Sequence, residues 1–129
     1  MIIQPPYLNY SMKTINPLKT KSFSFAISIV KLCNEIQSNT KEYILTNQLT
    51  RSGTAIGALY REAEHAESKK DFIHKLSIAQ KECNESIYWL DLMEATGKLN
   101  QEKFLELKNE ASIIIRILAR IIITSKASL

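Results

Sequence analysis

The sequence predicts an all-α fold, an antiparallel up-down-up-down four-helix bundle. Three observations predict it. Breakers are scarce: 129 residues include only three Gly and three Pro, which favours long helices over strands and turns. Apolar residues recur at spacings of three and four in four separate stretches, the period of an amphipathic helix. One of these stretches sustains a seven-residue repeat for almost three heptads, the pattern of packed antiparallel helices. One domain of this size has enough surface to bury for a core without staples.

Residues 1–19 hold Pro5-Pro6 and Pro17 and lack a helical period, so they are expected to form an extended arm ahead of a bundle over 20–129. Met12 offers a second candidate start. The first helix is expected over about Thr20–Gln37. Phe23, Ile27, Val30 and Asn34 form one row, and Phe25, Ile29, Leu32 and Ile36 another. Ser38-Asn39-Thr40 is the break.

The second helix is expected over about Lys41–His65. Ile44 or Leu45, Leu49, Ile56 and Leu59 mark its core row, with Ser52 between. Gly53 and Gly57 lie four apart, and each costs about 1 kcal/mol against Ala in a helix. Two such costs point to a close approach by another helix backbone.

The third helix is expected over about Ser68–Thr96. Ser68 is a candidate N-cap, with Asp71 three residues on. Phe72, Leu76, Ala79, Cys83, Ile87 and Leu90 carry the heptad pattern, and Gly97 stops the helix. The fourth runs over about Asn100–Ser125, capped by Asn100. Phe104, Leu107, Ala111, Ile114, Leu118 and Ile121 form its inner row, while Ile113, Ile117 and Ile122 lie off it. A helix apolar beyond one stripe is expected to be buried on more than one side. These three isoleucines are therefore the candidate oligomer interface.

Cys33 and Cys83 are too few for a disulfide scaffold and read as reduced, buried thiols. No export signal is convincing. The apolar run Ile113–Ile123 contains Arg116 and Arg120 and is too short to span a bilayer. No membrane association is expected, and the expected location is the cytoplasm. The formal charge is +4. Four lysines and no acid precede Glu35, and the rest of the chain is balanced, so nucleic-acid binding would need local patches.

Several motifs then resemble the four-helix-bundle family encoded within intervening sequences of bacterial 23S rRNA genes. They are Asn16-Pro17-Leu18 with Lys21-Ser22-Phe23; Gln48-Leu49 with Arg51-Ser52-Gly53-Thr54; and Ile56-Gly57-Ala58 with Tyr60-Arg61-Glu62-Ala63. Ser68-Lys69-Lys70-Asp71-Phe72, Leu76-Ser77-Ile78-Ala79, Lys81-Glu82 and Tyr88-Trp89-Leu90 follow. The match covers about Asn16 to Ile123. Leu59 stands where that family usually has Asn, and Ala55 where it often has Ser. The resemblance implies the bundle and a homo-oligomer, a ring-shaped pentamer. A related branch, the accessory proteins of diversity-generating retroelements, is similar in fold and implies binding to nucleic acid.

The candidate contacts to structured RNA or DNA are Arg51, Arg61, Lys69, Lys70, Lys75 and Lys81 around the second and third helices, with Arg116 and Arg120 on the fourth. Interleaved Glu62, Glu64, Glu67 and Asp71 favour the competing reading, a solvated face of ion pairs. Arg51 is expected close to the core row, paired with a carboxylate such as Glu85. Tyr60, Tyr88 and Trp89 are candidates for base stacking, although packing is the commoner use. Glu62-x-x-His65 and Asp71-x-x-His74 have di-iron spacing, but both flank one break, so no metal is assigned. No nucleophile has a partner base and no glycine loop cradles phosphate. The chain therefore reads as a non-enzyme without a cofactor. It is a binding or scaffolding module or, alternatively, a protein–protein assembly module with no nucleic-acid role.

Overall fold

The computed structural model describes residues 12–129, with side chains from position 17 onward. Four helices follow one another: α1 (Met12–Thr40), α2 (Ile44–Ala63), α3 (Lys69–Ala95) and α4 (Gln101–Ala127). Each packs antiparallel on its neighbour in sequence, and α4 closes on α1. The up-down-up-down bundle expected from the periodicity is the fold.

The caps follow local chemistry. Ser68 Oγ accepts from the Asp71 N–H at 3.1 Å, and the Asp71 carboxylate accepts from the Glu67 N–H at 3.2 Å. Asn100 Oδ1 accepts from the Lys103 N–H at 2.8 Å. Gly97 turns α3 off at φ +75°; the Lys98 N–H reaches back to the Met93 carbonyl at 2.8 Å and the Gly97 N–H to Glu94 at 3.1 Å. Both bonds of a Schellman cap are thus made. At the end of α1, Lys41 takes the same left-handed role at φ 61° without glycine's freedom.

Two expectations are corrected. First, the arm is expected over 1–19, yet α1 begins at Met12 and carries Pro17 inside it. Proline has a helix-compatible φ and forfeits one N–H bond. Leu18, fully buried beside it, offsets that loss. Residues 1–11 of the arm lie outside the described residues. Second, the core row of α2 differs. Tyr60 is 1% exposed while Ile44 is 76% exposed. The row is Thr46, Leu49, Gly53, Ile56, Tyr60 and Ala63, with Ser52 beside it. Tyr60 fits because its hydroxyl donates to Glu64 at the bundle's end, at 3.4 Å. On α3, Ser86 shares the core with the apolar row and sets its hydroxyl 2.9 Å from that of Ser52.

The two mid-helix glycines mark the α1–α2 contact. A Cβ on Gly57 would lie 3.6 Å from the backbone carbonyl carbon of Ser22, and one on Gly53 3.0 Å from Ile29 Cγ2. The backbone approach expected for both holds at Gly57, whereas Gly53 makes room for a branched side chain. Gly53→Ala should therefore lower stability by up to about 2 kcal/mol: overpacking costs about 1–3 kcal/mol and the alanine returns about 1 kcal/mol of helix propensity. Gly57→Ala, whose nearest contact is the Ser22 hydroxyl at 3.3 Å with the Ser22 backbone at an ordinary 3.6 Å, should change it less. Denaturant unfolding of both variants checks the order.

Both cysteines are free and buried. Burial raises the Cys33 thiol, and that of Cys83 from an ordinary 9.0 to about 12. The folded state thus holds a proton that the unfolded chain releases first. The stability tied to Cys83 is intact below pH 9 and is lost progressively as pH rises from there towards about 12. Unfolding midpoints should fall above pH 9 in the wild type, and less steeply in Cys83→Ala.

Candidate nucleic-acid interface

The eight basic candidates divide by what holds them. Arg51 stands on α2 opposite α3. Its guanidinium donates to Glu82 at 3.1 Å and contacts the Glu85 carboxylate, and its Nε donates to Gln48 at 3.3 Å. The expected Glu85 pairing is present, but the side chain is 50% exposed, so its place near the core row is corrected to the bundle surface. Lys75 of α3 pairs with Glu62 of α2 at 3.2 Å. Lys69 contacts the Ser128 hydroxyl at the end of α4. Arg61 lies over the exposed ring of Phe23, 5.4 Å from its centroid, a cation–π contact between α2 and α1.

Lys70, Lys81, Arg116 and Arg120 are exposed. Among the described residues, none of the four has a carboxylate within ion-pair distance. Lys70 and Lys81 share a line with Tyr88. Their separations of eleven and seven residues are each near a whole number of 3.6-residue turns. Tyr88 is 56% exposed, and exposed His74 lies between the lysines. Four of the five acids of α3 are drawn off this ridge. Glu82 and Glu85 turn to Arg51, Asp71 caps its own helix, and Asp91 pairs with Lys108 of α4 at 2.8 Å. The sequence interleaves acids with lysines; folding sorts them onto different sides.

The aromatic candidates separate in the same way. Tyr60 is buried and offers no face to a base, which corrects its place as a stacking candidate. Trp89 is half-buried, donates from Nε1 to Glu85 at 3.0 Å, and meets Tyr88 edge to face with ring centroids 5.0 Å apart. Of the three, Tyr88 alone keeps a face open for stacking.

Of the interface candidates, Ile122 is 6% exposed within its own chain. It packs in the core, which removes it from the set. Ile113 and Ile117 are half-buried and, with Arg116 and Arg120, line a shallow hollow of about 270 Å³. The most exposed apolar row is instead on α1: Phe23 (55%), Ile27 (40%) and Val30 (38%). Periodicity alone marks this row without revealing that it faces directly away from the core.

Beside Ile113, between α1 and α4, a cavity of about 230 Å³ is lined by Thr20, Lys21, Ser24, Glu110, Ile113 and Ile114. Burial, reinforced by Glu106, raises the Glu110 carboxyl above its usual range. Sequence reasoning misses this residue as an interface candidate; an acidic position one helical turn from Ile113 and Ile114 is the available signal. Among the described residues, no three His, Cys, Asp or Glu side chains come together to hold a metal ion. No helix among them is long and apolar enough to cross a membrane.

A family model described as 23S rRNA-intervening sequence protein matches residues 17–120. The chain belongs to that family. A crystal structure of a protein of unknown function from the S23 ribosomal protein family of Bacteroides thetaiotaomicron is similar, with 44% identity and a TM-score of 0.80. The similarity covers 81% of this chain and 97% of that one. No curated protein matches the chain. The matched region takes in all of α2 and α3 and most of α1 and α4.

Arg51 links Glu82 and Glu85 at a half-exposed site, where ion pairs contribute about 0–1 kcal/mol. Arg51→Met should lower stability by less than about 1 kcal/mol. Thermal unfolding in low and high salt checks this: the gap between wild type and variant should narrow as salt rises.

Proposed function

We propose that this chain is a non-catalytic, self-associating helical scaffold that binds the phosphate backbone of structured RNA or DNA along the outer ridge of α3. The supporting observation is the ridge itself. Lys70 and Lys81 are exposed and, among the described residues, have no carboxylate partner, while the neighbouring acids are engaged elsewhere. About 16 Å of helix separates the two lysines at 1.5 Å per residue. Tyr88, a further turn or two along, presents a ring to a base. Self-association would repeat the ridge in each copy, so that a small number of phosphates met by each subunit adds to a useful total. The family resemblance favours a ring of five for that assembly.

A second reading is an assembly module that meets a protein and no nucleic acid. The exposed row Phe23, Ile27 and Val30 favours it.

Filter binding to RNA and to duplex DNA across a salt series separates the two. The first reading expects affinity to fall with salt. Lys70→Ala with Lys81→Ala should reduce the log–log slope by about 0.7 to 0.9 for each phosphate that is no longer neutralised. Arg51→Met, whose charge is already engaged, should leave the slope unchanged. Absence of binding at low salt, together with a protein partner retained after nuclease treatment of native lysate, would leave the assembly reading standing alone.

A further inference from the structure

We propose that the outer ridge of α3 recognises the boundary between paired and unpaired nucleic acid. Lys70 and Lys81 lie against the phosphates of a duplex, and an unpaired base beside it stacks on Tyr88 with its edge towards Asn84. This rests on the phosphate-binding reading above and names the feature that the ridge selects.

The first observation is the make-up of the ridge. The most exposed residues of α3 are Lys70, His74, Lys81, Asn84, Tyr88 and Ala95. None is acidic. The first five follow one another at intervals of four, seven, three and four residues, which keeps them on one side of the helix. The chemistry changes along that line. Its N-terminal part holds the two lysines, suited to a backbone of negative charge. Its C-terminal part is an amide and an uncharged ring, suited to a base. A site for duplex phosphates alone has no use for that second part.

The second observation is the setting of Tyr88. Its ring is 56% exposed. Bases inside a duplex cover one another's faces, so a protein ring stacks only on a base that is unpaired or splayed out. Trp89 braces the ring at an interplanar angle of 71°, with centroids 5.0 Å apart. The indole is held in turn by Glu85, and Glu85 by Arg51. A braced ring loses less freedom when a ligand settles on it.

Third, Asn84 lies one helical turn before Tyr88, the spacing at which side chains are neighbours. Its amide has no hydrogen-bond partner among the described residues. A side-chain amide offers a donor beside an acceptor, which matches the hydrogen-bonding edge of a base. The lengths also agree. The helix rises about 16 Å from Lys70 to Lys81, close to five nucleotide steps of a stacked strand. Tyr88 lies about 10 Å further along, so one ridge reaches both the end of a duplex and the nucleotide beyond it.

Fluorescence anisotropy of labelled hairpins tests the boundary. Each hairpin is made blunt and with an unpaired tail, in RNA and in DNA. In whichever backbone binds, the tailed hairpin should bind tighter by about fivefold or more, the contribution of one stacked base. Tyr88→Ala should remove that advantage and leave affinity for the blunt hairpin within about twofold, whereas Tyr88→Phe, which keeps the ring, should retain it. Asn84→Ala should reduce the advantage without abolishing it; an unchanged advantage strikes Asn84 from the site. Lys70→Ala with Lys81→Ala should weaken blunt and tailed hairpins alike. A fluorescent purine analogue placed first in the tail should lose emission on binding the wild type and keep it with Tyr88→Ala. Circular dichroism confirms that the variants fold. Equal affinity for blunt and tailed hairpins, or a tail advantage that survives Tyr88→Ala, overturns the boundary and leaves phosphate binding standing. No binding of any hairpin at low salt overturns both.

Discussion

The bundle depends on how closely α1 can approach α2. Gly57 lets the Ser22 backbone against the helix, and Gly53 leaves the space that Ile29 fills. With α1 seated there, Phe25, Ile29 and Ile36 face the core. The same orientation turns Phe23, Ile27 and Val30 outward. One close approach therefore completes the interior and also creates the molecule's most conspicuous apolar exterior. On the α1–α4 side lies the cavity beside Glu110.

A second ordering principle is electrostatic sorting. The third helix carries four lysines up to Lys81 and five acids, four of them after it, so a linear reading gives little net charge. Folding places cations of α2 and α4 beside those acids. Arg51 takes Glu82 and Glu85, and Lys108 takes Asp91. Such surface pairs add little stability each. Their consequence is positional: they remove negative charge from the outward ridge of α3, so Lys70 and Lys81 face solvent unopposed.

Much of the fold is legible in the sequence because helical periodicity encodes burial directly. The heptad of α3 and the inner row of α4 are buried nearly as spaced; Ser68 and Asn100 cap their helices through their side chains, and Gly97 stops α3 because it has none to oppose a positive φ. The errors have physical causes. Pro17 suggests a break because intrinsic propensity disfavours it, but tertiary burial of Leu18 outweighs that preference. Tyr60 falls outside the expected core row because an apolar row leaves out a residue with a hydroxyl, although Glu64 one turn on accepts from it. Ile122 looks surplus because the stripe facing the core is wider than one row. The candidate site is less legible than the fold. Which of two adjacent charges is engaged depends on the neighbouring helix, and no single-helix pattern contains that information.

The single tryptophan has a consequence of its own. The indole of Trp89 is tied by its N–H to Glu85, which also contacts Arg51, and its edge rests against Tyr88. Its fluorescence thus originates at the border between the α2–α3 charge network and the solvent-facing ring. Anything that settles on that ring, or loosens that network, changes the polarity around the chromophore. The molecule therefore carries its own optical reporter, at a position where no label need be attached.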